Sequence, residues 1–153
     1  MQLQPQLKEF TVNYFQGHMT ECGSTFTLSE DNRQVLYMLA YAHLSKERYS
    51  EGERLLYTLV MLEPTSPKYW KALAFAQQKQ LQYDEACATY AIISELEPKD
   101  PEPYLRAAEC YLSKGDQKNG LEALLEAETR IAYNTQLRRE IYRLKEAWTG
   151  KKL

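Results

Sequence analysis

The chain has 153 residues, enough for about one domain that buries roughly 70% of its unfolded surface. Hydrophobic residues make up 44% and charged residues 26%, which excludes disordered and fibrous classes. A net charge of -2, from 19 Lys and Arg against 21 Asp and Glu, lacks the cationic field that a phosphate backbone attracts, so nucleic acid is not an expected partner.

From the amino end, Leu7, Phe10, Tyr14 and Phe15 recur at helical intervals and predict an N-terminal helix. Gly17, Gly23 and the polar residues between them set it apart as a region 1–27, ahead of a domain 28–153. The first ten residues lack a basic stretch followed by an apolar one, and no apolar run approaches the roughly 18 residues of a membrane span. Cys22, Cys87 and Cys110 are odd in number and widely spaced, with only His18 and His43 to assist them, so neither a disulfide framework nor a metal site is encoded. A reducing, cytoplasmic setting is expected, with no cofactor.

The rest of the chain repeats every 34 residues. Leu62, Glu63, Pro64 and Pro67 return as Leu96, Glu97, Pro98 and Pro101, and Tyr49 returns as Tyr83. Further positions keep register: Leu36, Trp70, Tyr104; Leu39, Leu73, Ala107; Ala40, Ala74, Ala108; Gly52, Ala86, Gly120; Leu56, Tyr90, Leu124. This period and these slots resemble the tetratricopeptide repeat, two antiparallel helices per unit, with Trp70, Leu73, Ala86, Tyr90 and Pro98 fitting closely. Small Ala74 and Ala86 allow close helix approach, Trp70 and Tyr90 fill the space between helices, and Pro98 stops the second helix.

Helix pairs are predicted at 28–46 with 49–62, 67–80 with 83–96, and 101–114 with 117–132. Thr27 and Glu30 suggest a capping box at the first start, and Pro67 and Pro101 suit first-turn positions. Tyr133 and Asn134 break the chain before Leu137, Ile141, Leu144 and Trp148, whose spacing predicts a closing helix with Arg138, Arg139, Arg143 and Lys145 on its polar face. The expected fold is an all-α solenoid of three helix pairs, an N-terminal helix and a C-terminal capping helix.

No Ser/His/Asp, Cys/His, phosphate-loop or metal-ligand constellation is present, so an enzyme is not expected. His43 shares its slot with Gln77 and Tyr111, and Cys110 shares one with Ala42 and Ala76; both read as packing residues, as does Cys87. Binding is the natural work of such a solenoid, because the first helices of successive units line a concave groove.

By resemblance to the tetratricopeptide architecture, the inward slots hold Gln34, Tyr37, Tyr41, Leu44, Lys68, Lys71, Phe75, Gln78, Glu102, Leu105, Glu109 and Leu112. Tyr37, Tyr41, Leu44, Phe75, Leu105 and Leu112 are expected to form an apolar floor, with Lys68, Lys71, Gln78 and Glu109 as polar contacts to an extended peptide. Tyr37 and Tyr41 stand where carboxylate-clamping co-chaperones have Lys and Asn, so that use of the fold is disfavoured.

Val35 to Glu128 resembles a narrower group, the SycD/LcrH-like chaperones of type III secretion translocators. The likeness rests on Leu36-Tyr37-x-Leu39-Ala40, on Tyr49, on Tyr83-Asp84-Glu85-Ala86, and on Pro103-x-x-x-Ala107-Ala108-Glu109-Cys110-Tyr111-Leu112-x-x-Gly115. It implies a bacterial cytoplasmic chaperone that holds hydrophobic translocator proteins without ATP. The client would lay a P-x-L-x-x-P segment in the groove, with Tyr37, Tyr41, Leu44, Phe75 and Leu105 as pockets. The family also tends to dimerise through its N-terminal region, so Leu7, Phe10, Tyr14 and Phe15 serve either dimerisation or packing onto the first unit. Gly52 and Gly120, where alanine is usual, and turns at Lys46-Glu47-Arg48 and Lys79-Gln80-Leu81-Gln82 without glycine, depart from the pattern. Two other readings remain: a co-chaperone of a helical needle subunit, and a scaffold bridging folded partners.

Overall fold

The computed structural model describes residues 28–131 and 135–150, so the expectations for 1–27, including Leu7, Phe10, Tyr14, Phe15 and Cys22, and for the break at Tyr133 and Asn134, lie outside it. Among the described residues there are seven helices and no strand: α1 (Glu30–Ser45), α2 (Tyr49–Leu62), α3 (Pro67–Lys79), α4 (Tyr83–Leu96), α5 (Glu102–Ser113), α6 (Gln117–Arg130) and α7 (Thr135–Thr149). α1 packs on α2, α3 on α4 and α5 on α6, each pair stacks on the next, and α7 closes the array against α6 and α5. The predicted pairs are all present, with ends shifted by at most two residues.

The first start differs from expectation. Ser29 is the N-cap, its hydroxyl accepting from the Asn32 amide at 3.3 Å, so Glu30 is the first helical residue rather than the third of a capping box on Thr27. At α6 Asp116 caps in the same way, accepting from the Asn119 amide at 3.2 Å.

Within each unit the turn is the same device three times. The amides of Arg48, Gln82 and Asp116 donate back five residues to the carbonyls of His43, Gln77 and Tyr111 at 2.9–3.0 Å. This 6→1 bond of a Schellman turn requires the preceding residue to be left-handed, and Glu47 (φ 58°), Leu81 (φ 62°) and Gly115 (φ 81°) all are. Only the third unit meets the requirement with glycine.

The core stripe is where the repeat predicted it. Ala40, Trp70, Leu73, Ala74, Ala86, Tyr90 and Cys87 share one buried cluster, and Leu105, Ala108, Leu112, Leu124, Ala127 and Ile141 form a second at the far end. Trp70 also donates its indole N–H to the Pro64 carbonyl at 2.7 Å, which ties α3 to the loop before it. Cys87 and Cys110 are buried free thiols at the α4–α5 joint, as packing residues should be. A hydrogen bond with Cys110, then burial, push the Cys87 thiol far above its ordinary range.

The glycines of the second helices explain the departure noted in the sequence. A methyl group at Gly120 would sit 2.6 Å from both Cγ and Cδ2 of Leu112, and one at Gly52 would sit 2.6 Å from Cδ2 of Leu44. Leu44 and Leu112 sink against the facing helix, and only glycine leaves room for them.

One face lacks a neighbour among the described residues. Leu39 is 48% exposed although its counterpart Leu73 is fully buried, and Val35, Met38 and Ala42 complete an exposed stripe along α1. In the second unit the same slots are covered by the preceding helix pair; no described element precedes α1.

Candidate functional site

α1, α3 and α5 lie side by side, and the residues they turn away from their partner helices bound two adjoining hollows. The first, of about 460 Å3, lies between α1 and α3 and is lined by Tyr37, Tyr41, Leu44, Ser45, Lys68, Lys71, Ala72 and Phe75. The second, of about 630 Å3, lies between α3 and α5; Gln78, Tyr90, Ile93, Pro103, Arg106 and Glu109 form much of it. Lys71 and Phe75 line both, so the hollows are consecutive stations of one groove.

The first station is aromatic. Tyr41 is 61% exposed and Phe75 42%, so two aromatic rings stand open to solvent on this wall. Tyr37 stacks obliquely on Tyr69 with ring centroids 5.4 Å apart, and Tyr49 meets Phe75 edge-on at 6.3 Å, so both walls are held by rings behind them. The Lys68 ammonium lies 4.6 Å from the Tyr37 centroid and 4.8 Å from that of Tyr69. Burial, and to a smaller degree the nearby Tyr41, push the Tyr37 hydroxyl above its ordinary value, so it remains a neutral donor and acceptor.

The second station is polar at its floor. Tyr90 donates its hydroxyl to Gln78 Oε1 at 3.0 Å, Gln78 Nε2 donates to Glu109 Oε2 at 3.3 Å, and Arg106 Nη1 donates to Glu109 Oε1 at 2.9 Å and to Glu140 Oε1 of α7 at 3.0 Å. Burial works against the Arg106 charge, but Glu109 and Glu140 outweigh it and its pKa is raised. Lys71 is similar: burial opposes its charge, while bonds to Glu97 at 2.6 Å and Asp100 at 3.1 Å more than offset this.

Of the residues expected in the groove, Tyr37, Tyr41, Leu44, Lys68, Lys71, Phe75, Gln78 and Glu109 line one or both stations. Leu105 and Leu112 do not. They are 0% and 2% exposed, packed in the far cluster with Leu124 and Ile141 and flanked by Leu137 and Leu144 of α7. The closing helix covers their slots, and Gly120 opens the recess into which Leu112 sinks. Lys79, Leu81 and Tyr83 line the second station without having been expected there. They come from the end of α3, the turn and the start of α4, outside the first-helix slots; the one signal for them was the exposed leucine at a turn position where glycine is usual.

The groove presents rings, amides and paired charges. Such a surface can accommodate an extended polypeptide, with side chains in the hollows and backbone at the polar rim.

Residues 67–100 match the tetratricopeptide repeat family model. The chain is 27% identical over 111 residues to the low calcium response locus protein H of Yersinia pestis, covering 72% of this chain. The match spans 66% of that relative's length, and 62% for the Yersinia pseudotuberculosis protein of the same name. The crystal structure of SycD, a type III secretion translocator chaperone of Yersinia enterocolitica, superposes with a TM-score of 0.75 at 27% identity, covering 81% of this chain and 96% of SycD. The resemblance to the SycD/LcrH-like group is shown by sequence and by structure. SycD has also been crystallised with a peptide of the translocator YopD, and that structure matches with a TM-score of 0.75 at 26% identity, covering 82% of this chain and 98% of that one. By structure the likeness reaches 81% of this chain, well beyond the single matched repeat. Among the described residues no helix is long and apolar enough to cross a membrane.

Proposed function

We propose that the chain is a cytoplasmic chaperone of a bacterial type III secretion system, holding hydrophobic translocator proteins by an extended segment seated in the two stations. The observation that carries this reading is the exposure of Tyr41 and Phe75 side by side on the wall of a groove that continues into a second hollow. The peptide complex of the related SycD supports it. The mechanism is holding rather than catalysis: covering an apolar segment lowers the population of aggregation-competent client by mass action, with no nucleotide or cofactor. An extended proline-containing segment is already ordered, so seating it costs little conformational entropy.

In this reading residues 28–153 are the client-binding unit. Tyr37, Tyr41, Leu44 and Phe75 act as apolar pockets, Lys68, Lys71, Gln78 and Glu109 as polar contacts, and the region 1–27 with Leu7, Phe10, Tyr14 and Phe15 as the element for self-association.

Tagged wild-type chain and the Tyr37→Ala/Tyr41→Ala variant, each used to capture partners from the source bacterium, test the reading by mass spectrometry. A large secreted protein with hydrophobic segments, lost in the variant, is the expected result; folded partners retained by both forms would sink it in favour of a scaffold. With a client peptide in hand, Tyr41→Ala is expected to lose about 1–3 kcal/mol of binding with an unchanged melting curve.

A further inference from the structure

We infer that α7 is the fourth wall of the groove, and that Arg139 and Arg143 receive an acidic residue of the segment that occupies it. This rests on the groove reading above and names the chemistry of a further part of the same client.

The 34-residue register continues through α7. Ile141 falls in the slot of Leu73 and is buried as Leu73 is. Glu140 falls in the slot of Arg106 and bonds to it at 3.0 Å, just as Lys68 approaches its counterpart Gln34 at 3.4 Å. α7 therefore stacks on α5 as a first helix stacks on the one before it. Tyr142, in the slot of buried Ala74 and Ala108, is exposed because no second helix follows among the described residues.

Two columns of the groove then gain a fourth member. Tyr41, Phe75 and Glu109 are followed by Arg143; Tyr37 and Lys71 are followed by Arg139, past the slot of Leu105, which lies buried beneath α7. The groove runs from aromatic through mixed to cationic.

The other groove cations are engaged: Lys68 over two tyrosine rings, Lys71 with Glu97 and Asp100, Arg106 with Glu109 and Glu140. Arg139 and Arg143 are exposed and take part in no ion pair among the described residues. Spaced one turn apart, two guanidinium groups repel each other, and a carboxylate between them relieves the repulsion while accepting paired hydrogen bonds. The chain as a whole is acidic, so attraction for an anion here is local. Two helix spacings of about 9–10 Å separate Phe75 from α7, a span of about six extended residues. The acidic residue thus lies about six positions from the apolar anchor at Phe75.

The test uses the full chain and labelled synthetic peptides sharing one proline- and leucine-containing core. Each carries six further residues at one end or the other, the last two being Glu-Glu, Ser-Ser or Lys-Lys, and affinity is read by fluorescence anisotropy at low and high salt. At one of the two ends the Glu-Glu peptide is expected to bind at least about fivefold tighter than the Ser-Ser peptide, with the gain lost at high salt. Arg139→Gln/Arg143→Gln should abolish the gain, so that the Glu-Glu and Ser-Ser peptides bind alike. Arg54→Gln/Lys118→Gln, of equal charge loss on second helices, should keep it. Equal affinity of the Glu-Glu and Ser-Ser peptides at both ends overturns the proposal, as does a gain that survives the arginine variant or vanishes equally in the control. Failure of the groove reading has its own signature: Ser-Ser binding absent, or indifferent to Tyr41→Ala.

Discussion

The outer units and the middle unit solve the same packing problem in opposite ways. Where a first helix crosses its partner, the first and third units pair a leucine with a glycine, Leu44 on Gly52 and Leu112 on Gly120; the middle unit pairs Gln78 with Ala86. A leucine that sinks toward the facing backbone removes the room for a methyl group there. With alanine opposite, the middle unit carries a glutamine turned to the groove, where it links Tyr90 to Glu109. The difference teaches that substitutions in a repeat are read in pairs: each glycine alone is a departure, and each pair conserves close contact. It also shows how the array stiffens its ends with apolar interlocks while leaving its centre to present polar groups.

The largest expected effect comes from breaking the third unit's interlock. Leu112→Ala should cost about 2–5 kcal/mol in urea denaturation, because fully buried leucine leaves a cavity. Gln78→Ala should cost less than about 1.5 kcal/mol, since it removes part-exposed hydrogen bonds. If the interlock is real, adding Gly120→Ala to Leu112→Ala restores part of the loss, whereas additive effects would mean that the two residues do not share space.

Gly120→Ala alone tests the same contact from the other side. Overpacking of about 1–3 kcal/mol against Leu112 opposes a helix-propensity gain of about 1 kcal/mol, so a net loss of up to about 2 kcal/mol is expected. A stabilised variant would show that Leu112 moves aside freely.

A third contrast concerns pH. Where the middle unit has Gln77, which does not titrate, the third has Tyr111, pushed up to about 12, first by burial and then by nearby Cys87 and Asp116. A raised folded pKa means that this stability is complete below the ordinary tyrosine value near 10 and is lost as pH climbs toward about 12. Stability should therefore fall across that window together with the rise of phenolate absorbance, and Tyr111→Phe should blunt the fall. Unchanged alkaline lability in Tyr111→Phe would assign it to other groups, Tyr90 first, whose pKa burial also raises.

The smallest effects are at the turns. Leu81→Gly relieves a left-handed leucine and is expected to stabilise by about 0.5–1 kcal/mol, while Gly115→Ala should destabilise by a similar amount. Equal melting temperatures in both variants would mean that the left-handed residue carries no strain.

Much of this was legible in the sequence because one period governs it. Pro67 and Pro101 mark helix starts, and Trp70, Leu73 and Ala86 are core because every unit needs the same stripe. The period fails where a slot's surroundings change along the chain. Leu105 and Leu112 occupy groove slots but are covered by α7, and Leu39 occupies a core slot but has no described neighbour. Slot rules describe a unit between two others, and the ends of an array are not that. Lys79, Leu81 and Tyr83 were missed for a different reason: the second station takes a wall from a turn, and turn residues follow backbone geometry rather than helical spacing.

The thiols at the α4–α5 joint give the molecule an internal clock. Cys87 and Cys110 are buried, and the Cys87 thiol is held far from its reactive thiolate form, so alkylating reagents reach them only when the middle and third units part. The rate at which those two sulfurs are labelled therefore reports how often the array opens at its waist, and a client seated across both stations should slow it.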